Sequence, residues 1–139
     1  MTSVRRRHER RVAALRPAGP SLQAFSLLYA GFIIAPLVAG LDKFFHYLVD
    51  WDIYLSPVFA RLAGGRVTEL MMLVGAVEIC AGLLVALKPR VGGLVVAFWL
   101  WGIIINLLSM PGYFDIALRD FGLSLGALAL SRLAAERAR

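Results

Sequence analysis

Apolar residues are gathered into four long runs separated by short polar breaks, at about 22–41, 67–87, 91–110 and 116–135. Each run is close to the ~20 residues that carry an α-helix across ~30 Å of hydrocarbon. Helices are the expected form, because lipid offers no partner to a free backbone N–H or C=O. Pro36 predicts a kink in the first run. The fourth is the most polar, since Arg119, Asp120 and Arg132 fall inside its window.

The breaks differ in character. Residues 1–20 are polar and strongly basic, and Pro17, Gly19 and Pro20 end any helix there. Between the first two runs, Phe44, Leu48, Trp51 and Leu55 recur at helical spacing. Asp42, His46 and Asp50 form a second stripe on another face. That pattern predicts an amphipathic helix lying on the membrane surface or folded back onto the bundle. Ser56-Pro57 ends it, and Gly64-Gly65 turns into the second run. The Lys88-Pro89-Arg90 break is a tight turn, which makes its flanking helices antiparallel neighbours. Gly31, Ala35 and Ala39, Gly75 and Gly82, and Gly122 and Gly126 are small enough to let helices approach closely.

The predicted fold class is thus an all-α membrane protein. It is a four-helix transmembrane bundle with a surface helix between the first and second spans. Residues 1–20 form a basic tail, 21–135 the spanning domain and 136–139 a second tail. Composition agrees: 60% of the 139 residues are apolar, against about 45–50% in soluble domains. So short a chain cannot hide that excess in a core of its own.

Charge sets the orientation. With the N-terminus in the cytoplasm, the tail, the Lys88–Arg90 turn and the C-tail carry eleven of the fifteen Lys and Arg residues. Only Lys43, Arg61, Arg66 and Arg119 lie elsewhere. This is a positive-inside distribution with both termini cytoplasmic. It also accounts for the net charge of +6 without nucleic acid, because the basic residues sit at the ends of apolar runs. The basic start can also be drawn to anionic headgroups. No cleavage site follows the first run, and Arg5-Arg6-Arg7-His8 lacks the context of a twin-arginine signal. Cys80 is alone, so it forms no internal disulfide or redox pair and reads as a packing residue.

An ionisable group in hydrocarbon costs about 3 kcal/mol on insertion scales and has to find a partner. Glu78 is the clearest case, midway along the second run between Gly75 and Gly82. Asp42, Lys43, His46, Glu69, Asn106, Asp115, Arg119 and Asp120 all lie toward the outer side. Arg119 is the expected counter-charge for Glu69, Asp120 or Glu78, and Asp115 to Arg119 is a favourable i,i+4 pair. Four readings of this cluster stay open. Its polar groups hold the helices in register. They line a pocket for a small amphipathic molecule or quinone headgroup, with Glu78, Asn106, Arg119 and Asp120 at its core and Lys43 and Glu69 at its rim. Asp42, His46 and Asp50 hold a metal, although one His with two carboxylates is a thin ligand set and no metal is expected. Lastly, Glu78 relays a proton. No phosphate loop, metalloprotease helix or serine elbow is present, so no catalytic motif marks an enzyme. With His8 in the tail, His46 has no partner for a bis-histidine haem.

Gly40-Leu-Asp-Lys-Phe44 resembles the glycine-and-lysine signature of the DoxX-like family of small four-span membrane proteins. Val74-Gly-Ala-Val-Glu78 with Ala81-Gly82 is similar to that family's second span. Trp99 to Leu108, with Asn106, and Asp115-Ile-Ala-Leu-Arg-Asp120 resemble its third and fourth, so the likeness covers roughly residues 25–133. It implies a bacterial cytoplasmic membrane and quinone-linked redox work as an accessory subunit beside a membrane or periplasmic partner. Quinone is the implied cofactor, with nothing bound covalently, and an oligomer is compatible. A non-catalytic scaffold or assembly subunit is the alternative, and a small transporter comes after it. The family carries no agreed catalytic residues to transfer, and a fold likeness alone does not make an enzyme.

Overall fold

A computed structural model describes residues 2–14 and 18–139. It contains six α-helices and no strand among the described residues: α1 (Thr2–Ala14), α2 (Pro20–Phe45), α3 (Pro57–Leu62), α4 (Val67–Leu87), α5 (Pro89–Leu108) and α6 (Phe114–Arg137). A short 3-10 turn, Trp51–Tyr54, precedes α3. Three helices, α2, α4 and α5, are long and apolar enough to cross a membrane, so the chain is an integral membrane protein by its helices. The 24-residue α6 is as long, but its charges keep it out of that group.

The basic tail is itself helical over α1, where the Arg5 and Glu9 side chains pair at 3.3 Å one turn apart. Arg16 of the basic tail and Pro17 of the expected break lie outside the described residues. Pro20 then opens α2 at its first position, where a missing N–H costs nothing. The helix runs through Pro36 and continues past the apolar run to Phe45.

The surface helix expected next is not a single helix. His46 takes a left-handed conformation, φ 57°, and its N–H bonds to the Asp42 carbonyl at 2.6 Å. The Asp42 carboxylate captures the N–H groups of Tyr47 and Leu48 at 2.9 and 3.0 Å. Those donors are spent on a side chain, so the helix cannot propagate through them. The chain restarts as the 3-10 turn, capped by Asp50, and then as α3, capped by Ser56 with Pro57 first. Gly64 and Gly65, at φ 67° and 79°, reverse the chain into α4.

A single residue, Lys88, separates α4 from α5, and Pro89 starts the new helix. Gly112, at φ 94°, makes the bend into α6. Helices α2, α4, α5 and α6 close a ring in which each touches two others, most extensively α5 on α6 and α2 on α4. One end of this bundle carries the long 46–66 loop and the short 109–113 bend. The other carries the Lys88 turn and the start of α2.

Close approach is concentrated at a few glycines. A Cβ on Gly40 would lie 2.7 Å from the Gly75 carbonyl oxygen, and one on Gly75 would lie 2.7 Å from that of Gly40. Gly92 abuts the Val85 backbone, and Gly93 abuts the Ala127 carbonyl. These contacts carry α2 on α4, α4 on α5 and α5 on α6. Gly31 and Gly122, also expected at interfaces, face open space. One core cluster is made of small or slender side chains, Ala81, Val85, Val96, Ala97, Ala127 and Leu130, and a second, at the loop end, of Leu107, Met110 and Ala117. Large ones such as Leu83, Phe98, Ile105, Leu118 and Phe121 are exposed.

Candidate functional site

The site follows from one helix crossing. Gly40 and Gly75 bring the backbones of α2 and α4 together. Lys43 and Glu78 each lie three residues further along, on the same helix face as their glycine. The Gly75 backbone passes so near that its Cβ would lie 2.9 Å from the Lys43 Cβ. The two charged side chains therefore meet beside the crossing, with Lys43 Nζ donating to Glu78 Oε2 at 2.6 Å. Lys43 is 3% exposed and Glu78 9%. Such a pair is roughly break-even against apolar residues of the same volume, but removing either partner strands a charge. It is therefore a weak explanation of stability and a strong constraint on register.

The loop end closes over the pair through Trp51. Its indole ring lies under Lys43 Nζ, 3.7 Å from the centroid, and its Nε1–H donates to Asp42 Oδ2 at 2.7 Å. Neighbouring residues of opposite charge at the end of α2 thus hold one aromatic side chain, by cation–π attraction and by a charge-assisted hydrogen bond. Asp42, with three donors on its carboxylate, fixes the loop.

On the far side of Glu78 lies α5. The Trp99 Nε1–H is buried, points toward the Glu78 carboxylate and has no well-formed hydrogen bond among the described residues. Trp99 also borders a shallow apolar groove between α4 and α5, lined by Val77, Cys80, Ala81, Leu84, Val95 and Phe98. Asp120 of α6, 6% exposed, is within electrostatic reach of Glu78. The Arg119 guanidinium meets Asp120 Oδ1 at 3.4 Å with its own side chain 66% exposed.

The expected site residues are thus only partly gathered. Lys43 and Glu78 come together, with Asp120 buried on α6 and paired with Arg119, and the counter-charge of Glu78 is Lys43, placed at the rim on sequence grounds, and not Arg119. Arg119 does partner Asp120, one of the three acids considered for it. Glu69 is exposed in the first turn of α4 and Asp115 in the first turn of α6. Neither joins an ion pair among the described residues. Asn106 lies apart from the pair and holds the loop: its Oδ1 accepts from the Ser56 N–H at 2.9 Å and its Nδ2 donates to the Tyr54 carbonyl at 2.7 Å. Sequence reasoning missed Trp51 and Trp99. The pairing of Lys43 with Glu78 did have a signal, the shared spacing of Gly40-x-x-Lys43 and Gly75-x-x-Glu78.

Of the weak metal candidates, Asp42 is committed to Trp51 and to loop N–H groups. His46 and Asp50 instead come near Asp52, with one donor atom from each within 4.8 Å of the others. Asp52 Oδ2 already accepts from the Thr68 hydroxyl at 2.8 Å.

No family model, no curated protein and no solved structure matches the chain.

Proposed function

We propose that the chain crosses the bacterial cytoplasmic membrane four times, with both termini in the cytoplasm, and serves a redox partner as a DoxX-like accessory subunit. On this reading the charged centre around Lys43 and Glu78 lies in the outer half of the bilayer. It meets the headgroup of a quinone-type molecule entering from lipid.

The fourth crossing is α6. At 24 residues it extends about 36 Å. Its buried positions are small or polar (Ala117, Asp120, Ser124, Ala127, Ser131, Ala134), apart from Leu130, whereas Leu118, Phe121 and Leu125 face outward. That is the distribution expected where lipid, not water, is the solvent. Arg119 is exposed near the outer end, where its long stem lets the guanidinium reach the headgroups.

The observation that carries the ligand reading is the apolar groove between α4 and α5, bordered by Trp99, whose buried indole N–H is directed at the Glu78 carboxylate. A carbonyl headgroup would take this donor over from Glu78, and an isoprenoid tail would follow Val77, Leu84 and Val95. The test is crosslinking of an azidoquinone to the protein in nanodiscs, competed by unlabelled quinone. Wild-type protein should give saturable labelling, and Trp99→Phe should need about five- to tenfold more quinone, the worth of one hydrogen bond. Labelling that is unsaturable, or unchanged by the substitution, overturns the proposal.

One observation favours a scaffold instead: Asp42 and Asn106 spend their polar atoms fastening the chain's own loop. The Lys43→Met/Glu78→Met double variant separates the two. A scaffold keeps its partner and the partner's electron flux, whereas a charged ligand site loses flux while assembly persists.

A further inference from the structure

The arginines of α1 are not spread evenly around the helix. At 100° per residue, Arg6, Arg10, Arg7 and Arg11 fall within one arc of about 140°. The acid of this segment, Glu9, lies outside that arc, about 60° beyond Arg6, and is already paired with Arg5 at 3.3 Å. Four guanidinium groups thus share a face on which no carboxylate competes. Ser3, Arg6, Arg7 and Arg10 surround one open patch of that face, all of them exposed. This is the donor set that receives phosphate oxygens, since guanidinium matches them bidentately.

What the face meets follows from the tether. Six Cα steps separate Ala14 from Pro20, the first residue of α2, so the end of α1 cannot be more than about 22 Å from the start of the first span. Taking α2 to cross a bilayer, as proposed above, this keeps α1 beside the cytoplasmic headgroup layer.

We propose that α1 lies on the cytoplasmic surface and binds the phosphate groups of anionic phospholipids through Arg6, Arg7, Arg10 and Arg11. Val4 and Val12 are the large apolar side chains of the segment, so the attachment is electrostatic, shallow and salt-sensitive.

Trypsin cuts after arginine and reads the contact directly. The full chain is reconstituted in nanodiscs of pure phosphatidylcholine or with about 30% phosphatidylglycerol, a content that makes the surface anionic. Cleavage within residues 5–11 is followed by mass spectrometry. It should be at least about tenfold slower in the anionic discs, and 0.5 M NaCl should abolish most of that difference. Arg6→Gln/Arg10→Gln should lose protection at Arg11, by about fivefold for each charge removed, whereas Arg5→Gln should keep it. Equal cleavage in the two lipids overturns the proposal. So does protection in neutral discs by millimolar inorganic phosphate, which would mean a site for free phosphate. Protection by duplex DNA with none from anionic lipid would mean a nucleic-acid face and overturns it too. A chain that does not enter the discs overturns the span reading and this one together. Incorporation with an unprotected α1 overturns this one alone.

Discussion

The two ends of the bundle are held by different physics. At the end near the Lys88 turn, helices touch through Gly92, Gly93, Ala97 and Ala127, and two neutral hydrogen bonds run from a side-chain hydroxyl of one helix to a backbone carbonyl of the next. Tyr29 Oη donates to the Ala86 carbonyl and Ser131 Oγ to the Arg90 carbonyl, each at 2.7 Å. At the loop end, glycine contact at Gly40 and Gly75 is joined by a buried ion pair, an indole under an ammonium group and a side-chain amide gripping the loop. Small-residue packing is sufficient to join helices in lipid. The charges at the loop end are therefore not needed merely to hold the bundle shut. They specify which residues face one another, and they carry the candidate chemistry.

The contrast is broken most severely at the ion pair. Glu78→Leu leaves the Lys43 ammonium group buried and unpaired, and should cost about 3–5 kcal/mol in unfolding from micelles. Lys43→Met/Glu78→Met should recover to within about 1–2 kcal/mol of wild type, since both charges are gone. A double variant as unstable as Glu78→Leu would mean that the pair is itself a main source of stability.

Next come the glycines shared by both ends. Gly40→Val or Gly93→Val drives a side chain into a neighbouring carbonyl and should cost about 1–3 kcal/mol or more. Gly31→Ala, where a Cβ meets nothing, should be neutral or should stabilise by up to about 1 kcal/mol. Equal effects at Gly40 and Gly31 would deny that α2 and α4 cross at Gly40.

Asn106→Leu acts at the loop end alone. It strips the partners of the Ser56 N–H and the Tyr54 carbonyl, worth about 1–3 kcal/mol if both stay buried. Hydrogen exchange should quicken across 51–56 and stay unchanged in α5 near Gly93. The smallest effect belongs to Ser124→Ala, which removes the acceptor of the Trp101 Nε1–H at 3.0 Å. It should cost about 0.6 kcal/mol, the mean for such bonds between helices in membranes.

The sequence made the helices legible because lipid imposes a length, and length survives in the apolar runs. Elements α2, α4, α5 and α6 lie where the four runs lie, with ends displaced by up to four residues. Glu78 was legible as a residue that must find a partner, for the same reason. Its partner was not. Arg119 looked right by depth along the chain, but pairing depends on which helix faces meet, and that is set by Gly40 and Gly75 touching. The loop failed for a different reason. Periodicity from Phe44 to Leu55 read as one helix, yet Asp42 offers its carboxylate to Tyr47 and Leu48 and turns the chain at His46. A periodic pattern does not register that local competition. Asn106 stands out in the sequence as a polar group in an apolar run, but whether it faces a ligand or the chain's own loop is a tertiary fact.

A four-span topology requires α6 to cross, and α6 is the long helix whose charges set it apart from the other three. Two single-cysteine variants on a Cys80→Ser background address it, Ser109→Cys before α6 and Ala138→Cys after it. Intact cells are treated with a membrane-impermeant maleimide. Ser109→Cys should react at once, and Ala138→Cys only after the membrane is opened. If both react from outside at similar rates, α6 does not cross and the four-span reading is wrong.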